Sequence, residues 1–155
     1  MTPRVVEVRS TVAAPAGHVW ARVVTPEGIN DEMRPWLTMS MPCAARGMTV
    51  DDIPIGTPVG RAWLRLFGVL PFDYDLLTVA ELDPGTRFLE DSTMLSMSRW
   101  RHERTVTPDG HGASVVHDRV TFAPRLPLRV LTPVLTVGIR AFFAHRHRRL
   151  SRHFS

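Results

Sequence analysis

The stretch 97-MSRWRHERTVTPDGHGASVVHDRVTFAP-124 decides the fold. Two runs of alternating character, Met97–Thr107 and Ser114–Ala123, flank the turn formers Pro108, Asp109, Gly110 and Gly112. The pattern predicts an antiparallel hairpin closed by a five-residue turn over Pro108–Gly112, with Thr107 opposite Ala113. Counting back from the turn sets Trp100 opposite Val120 and His102 opposite Asp118. Side chains alternate with period two, so both pairs share one face with Val106 and Phe122, and its apolar members make that face the inward one.

Upstream, apolar runs at Leu37–Met41, Val59–Leu66, Phe72–Leu82 and Arg87–Thr93 are cut by turn signals at Ile55–Pro58 and Asp83–Gly85 and read as further strands. Cys43–Ile53 fits either a loop or a ragged edge strand. Val5–Val12 is rich in β-branched residues and reads as the first strand. Pro15 opens a short helix with Val19, Trp20, Val23 and Val24 on its apolar face. Thr25-Pro26 caps a second helix that ends near Met33, before Arg34-Pro35. Downstream, a long helix begins between Leu126 and Val134. Leu135, Ile139, Phe143, Leu150 and Phe154 lie on its apolar side, with His145, Arg148, Arg149 and Arg152 opposite. The order is α+β: an antiparallel sheet of about seven strands, two short helices and one long C-terminal helix.

With 44% hydrophobic and 22% charged residues the 155-residue chain has globular composition, which excludes disorder and fibre classes. Length and the lack of repeats predict one domain over residues 1–155. No run of about 18 consecutive apolar residues occurs, and Met1–Arg9 has no secretory apolar segment. Cys43 is the only cysteine, so an intrachain disulfide is excluded and a cytoplasmic location is expected.

Five fragments, in order, carry a resemblance: Val12-Ala13-Ala14-Pro15 followed by Val19-Trp20, then Phe88-Leu89-Glu90-Asp91, Trp100-Arg101-His102-Glu103, Asp118–Pro124 and the ending Arg146-His147-Arg148-Arg149-Leu150. The chain resembles the START-like (SRPBCC) superfamily, which includes lipid-transfer domains and bacterial polyketide aromatases and cyclases. The resemblance implies a helix-grip fold, in which a curved sheet and the C-terminal helix enclose an apolar cavity. It leaves the chemistry open.

Within that frame His102 beside Asp118 is either a general base held by a carboxylate, with its charged form favoured, or a satisfied buried pair. Glu90 shares a face with Phe88, and either accepts from Arg104 or a ligand head, or lies exposed. Tyr74 either orients a ligand or sits on the strand surface between Asp73 and Asp75. Trp36, Trp63, Phe72 and Trp100, with Val120, Phe122, Ile139, Phe142 and Phe143, complete the expected cavity wall.

No metal site or cofactor is expected. His102-Glu103 lacks a cysteine partner motif, and His145 and His147 face different sides of a helix. The basic tail Arg148, Arg149 and Arg152 reads as a solvated helix end or as a transient contact with an anionic membrane. No nucleic-acid motif is present. The expectation is binding or carriage of a hydrophobic small molecule such as a lipid, quinone or polyketide. The alternatives are a cyclase or aromatase using His102 and Asp118, and an interaction module with a filled interior.

Overall fold

The computed structural model describes residues 2–155. Strand β1 (Arg4–Val12) leads into helices α1 (Ala16–Val23) and α2 (Pro26–Met33). There follow β2 (Leu37–Met39), β3 (Arg61–Leu66), β4 (Leu70–Leu76), β5 (Val79–Asp83), β6 (Arg87–Met94), β7 (Met97–Pro108) and β8 (Ser114–Pro124). The undecided segment Cys43–Ile53 holds two short 3-10 turns, tied down where Trp20 Nε1 donates to Asp51 at 3.1 Å. The chain ends in α3 (Thr132–His153), preceded by a 3-10 turn over Leu126–Leu131.

The sheet is antiparallel and curled, with strand order β1-β8-β7-β6-β4-β3-β2 and β5 beside β6. Its eighth strand arises because the expected single strand Phe72–Leu82 is broken. β4 pairs with the end of β6 at Asp75↔Met94, whereas β5 pairs with its beginning at Asp83↔Arg87. Between them Thr78 N–H donates to Ser92 Oγ at 3.1 Å, and the Thr78 carbonyl accepts from Asp91 N–H at 2.9 Å, so one edge of β6 holds two strands at an angle.

The β7–β8 hairpin forms, but two residues off the expected register: Trp100 pairs with Phe122, His102 with Val120 and Arg104 with Asp118. The loop is Asp109–Ala113 rather than Pro108–Gly112. Gly110, His111 and Gly112 all adopt positive φ and move the turn centre one residue on. A shift of two keeps every side chain on its expected face.

Helix α2 is capped as expected, with Gly28 N–H donating to Thr25 Oγ1 at 3.0 Å. Glycine is required there, since a Cβ would lie 1.9 Å from the Arg22 carbonyl oxygen. Trp20, Val12, Val106, Val116 and Leu150 form one core cluster; Val6, Val120, Phe122, Phe143 and Met97 form another. By length and composition the stretch Leu126–His153 could cross a membrane. Its Phe143, Arg146, His147 and Leu150 are nevertheless buried, which makes α3 the helix gripped by the sheet.

Candidate functional site

A cavity of about 690 Å³ lies between α3 and the inner sheet face. Of the expected wall, Phe72, Phe88, Glu90, Trp100, His102, Ile139, Phe142 and Phe143 line it. Methionines 33, 39, 41, 94 and 97 line it too, and no sequence pattern marked them. Such flexible side chains adapt to irregular guests. The cavity is open, which corrects the expected alternative of a filled interior.

The remaining candidates lie elsewhere. Trp63 and Tyr74 are cross-strand partners whose rings meet at 5.4 Å on the outer face, with Arg61 4.7 Å above Tyr74. Alternation therefore turns the neighbours of Tyr74 inward: Asp73 and Asp75 are buried and reach the cavity instead. Trp36 is half exposed on the rim, against Phe67. Val120 and Phe122 are fully buried in the core cluster of Phe143. Arg104 and Asp118 are sealed beneath the wall.

These two anchor a buried polar network. Asp118 Oδ1 accepts from His102 Nε2 and Arg104 Nε, both at 2.8 Å. Its Oδ2 accepts from Arg104 Nη2 at 2.6 Å and His147 Nε2 at 2.8 Å. Four donors fill the acceptor sites of one carboxylate. An ionised carboxylate can only accept, so both imidazoles present Nε2–H to it. His147 Nδ1 is hydrogen-bonded to Ser10 Oγ at 2.6 Å. Arg104 Nη1 donates to Glu32 Oε2 at 2.9 Å, and Arg146 Nε stands 3.3 Å from Glu32 Oε1. The network thus ties α2, β1, β7, β8 and α3 together.

Burial alone would raise the Asp118 carboxyl, but Arg104 and His102 outweigh it and hold it well below the usual range. Burial likewise opposes charge on Arg104, and Asp118 with Glu32 reverses that and raises it. His102 departs from expectation. Burial, with Arg146 and Arg104 nearby, outweighs Asp118 and lowers its pKa, so the imidazole is neutral. The Arg146 guanidinium, 5.0 Å above the Phe143 ring, is lowered by burial.

A second polar group faces the guest space. Asp75 and Glu90 are both buried on the cavity wall and close enough to bond each other. Asp75 Oδ1 and Glu90 Oε1 have no donor from the rest of the protein. Burial first, then the Asp75 charge, pushes Glu90 well above the ordinary carboxylate range, and burial raises Asp75 as well. Two carboxyls crowded into one buried site each disfavour ionisation of the other. His102 Nδ1, its unprotonated nitrogen, is 3.9 Å from Glu90 Oε2. Glu90 therefore stands beside Asp75 and not Arg104, and the wall sets a carboxyl whose protonated form is favoured next to an imidazole whose charged form is disfavoured. Glu32, Asp75, Arg146 and His147 were outside the expected site. Only the spacing of 146 and 147 between the apolar 143 and 150 marked two of them as inward.

Comparison with solved structures places this architecture. A START superfamily protein from Mycobacterium smegmatis matches with a TM-score of 0.71 at 13% identity, covering 97% of this chain and 96% of that one. Norcoclaurine synthase from Thalictrum flavum, in complex with dopamine and hydroxybenzaldehyde, matches with 0.61 at 14%, covering 97% and 85%. DynU16, from the dynemicin biosynthetic locus, matches with 0.62 at 19%, covering 96% and 46%. The fold is that of the START superfamily, the helix-grip fold that the sequence resembles. No curated protein matches the sequence. The family model described as Domain of unknown function (DUF8410) matches residues 10–154, nearly the whole chain, and the protein belongs to that family.

Proposed function

We propose that the protein binds and carries an apolar small molecule whose one polar end meets the Asp75–Glu90 pair, His102 and Arg146. The observation that carries this reading is the cavity itself. Its 690 Å³ falls in the range of small-molecule sites, and its lining is apolar apart from that corner and the mutually bonded Asp73 and Ser96. Dopamine and hydroxybenzaldehyde in norcoclaurine synthase, a protein of the same fold, agree with a small aromatic or similar guest. Native mass spectrometry of gently purified protein, with extraction of anything bound, tests the reading. A stoichiometric apolar guest supports it. A clean apo mass together with no uptake of an environment-sensitive apolar dye overturns it.

A second reading is a cyclase or aromatase. It is favoured by the placement of Glu90, whose burial beside Asp75 favours the protonated form, 3.9 Å from His102, whose burial disfavours the charged form. The acid–base couple in this reading is Glu90 with His102, because Asp118 has no access to a guest. Turnover of a polyketide-like substrate that disappears in both Glu90→Gln and His102→Gln supports it.

A further inference from the structure

We propose that the rim of the cavity mouth is a docking surface for an anionic phospholipid bilayer. Among the described residues, the exposed large hydrophobic side chains are Val5, Ile55, Trp63 and a set that rings the mouth. The ring can be followed residue by residue. Trp36 and Phe67 pack at 6.2 Å, and Val69, 76% exposed, stands at the tip of the β3–β4 hairpin. Phe72 on β4 is half exposed and also lines the cavity. Leu95 follows, its N–H donating to the Tyr74 carbonyl at 3.2 Å. Arg125 joins the next segment through its N–H to the Ser96 carbonyl at 2.9 Å and its Nε to the Met94 carbonyl at 3.1 Å. From there Leu126, Val130, Val134 and Val137 are all exposed, Val130 at 83%. His145 on α3 packs 6.3 Å from Trp36 and closes the circuit.

Soluble surfaces scatter such residues singly; a continuous apolar rim marks an interaction site. Its charge names the partner. Residues 34–49, 59–72, 94–101 and 123–155, which build the mouth and its helix, contain no Asp or Glu. They carry exposed Arg34, Arg99, Arg125, Arg129 and Arg140. The exposed carboxylates, Glu7, Glu27, Asp52, Glu81, Asp91 and Asp109 among them, lie on other segments. Apolar side chains enter the acyl boundary while arginines flanking them meet lipid phosphates. The expected membrane contact thus moves to the opposite end of α3. Arg149 is held by Asp31 at 2.9 Å, and Arg152 lies about 27 Å from Val134 along the axis at 1.5 Å per residue. If the carrier reading holds, a guest passes between bilayer and cavity without crossing water.

Co-sedimentation with vesicles of phosphatidylglycerol and phosphatidylcholine, and of phosphatidylcholine alone, tests this on the full chain. Val69→Asp and Val130→Asp probe two separate parts of the rim, and neither residue lines the cavity. The expected result is binding to the anionic vesicles only, weakened by salt and reduced at least about tenfold in each variant, the value of burying one valine. Absence of wild-type binding, equal binding to both vesicles, or variants that bind as well as wild type would overturn it. So would a wild-type dimer that these substitutions convert to monomer, which would assign the rim to a second copy. Dye uptake without vesicles is measured in parallel. Its retention with no vesicle binding removes the docking surface alone, and its loss with vesicle binding removes the carrier reading alone.

Discussion

Asp118→Asn is the most informative single substitution. The native carboxylate is fully buried and accepts from His102, from Arg104 twice and from His147. Asparagine keeps the shape, but its amide nitrogen must face a donor from Arg104, His102 or His147, and one of the two charges opposite Arg104 is gone, leaving Glu32 alone. Breaking a buried ion pair by neutralising one partner costs about 3–5 kcal/mol. Against a total stability of about 5–15 kcal/mol that is a large fraction. At about 2–4 °C per kcal/mol for a chain of this size, the melting temperature should fall by about 6–20 °C. Urea and thermal unfolding followed by circular dichroism at neutral pH measure it, with Asp109→Asn on the exposed hairpin loop as control. A loss below about 1 kcal/mol would refute the reasoning, because Arg104 would keep only Glu32, which Arg146 shares, and the donors that faced Asp118 would stay without a charged acceptor in a dry interior.

Three further outcomes are expected. Because the Glu90 pKa is raised, its contribution to stability is full below the ordinary value of 4.5 and is lost as pH rises through the folded value; Glu90→Gln should flatten that decline, and urea titrations across the pH range would show it. Gly138 lines the cavity with nothing within 4 Å of a Cβ, so Gly138→Ala should add up to about 1 kcal/mol of helix stability, whereas Gly138→Phe should fill the cavity and weaken dye uptake; a melt and a fluorescence titration separate the two effects. His102→Gln leaves Asp118 its two arginine donors and His147, so it should cost only about 1 kcal/mol in the unfolding assay, well short of Asp118→Asn.

The hairpin, the order of elements and the inward face of β7 and β8 were legible because period-two alternation survives a register error of two residues. The exact pairing was not, since it depends on three positive-φ residues in one loop, and His111 carries no sequence mark of that conformation. The break at Thr78 depends on a side-chain hydroxyl across the strand, Ser92, that local pattern does not report. At the site, His102 and Glu90 were visible as polar residues on an apolar face. Arg146 and His147 lie in a run of arginines and histidines whose composition suggests solvent, and only their helical spacing from Phe143 and Leu150 points inward. Tyr74 is a candidate by residue type, yet the aspartates on either side of it, one residue out of phase, are the ones that line the cavity.

The polar network beneath the cavity also divides α3 into two mechanically unequal parts. Its second half is fastened by Phe143, Arg146, His147 and Leu150 to the core and by Arg149 to α2, whereas among residues 132–142 only Thr132 is buried. The first half meets the core through the partly buried Leu135, Ile139 and Phe142, which also line the cavity, whereas the second half adds buried charged groups to its apolar contacts. Substitutions in the first half should therefore change the cavity more than global stability, and substitutions in the second half the reverse.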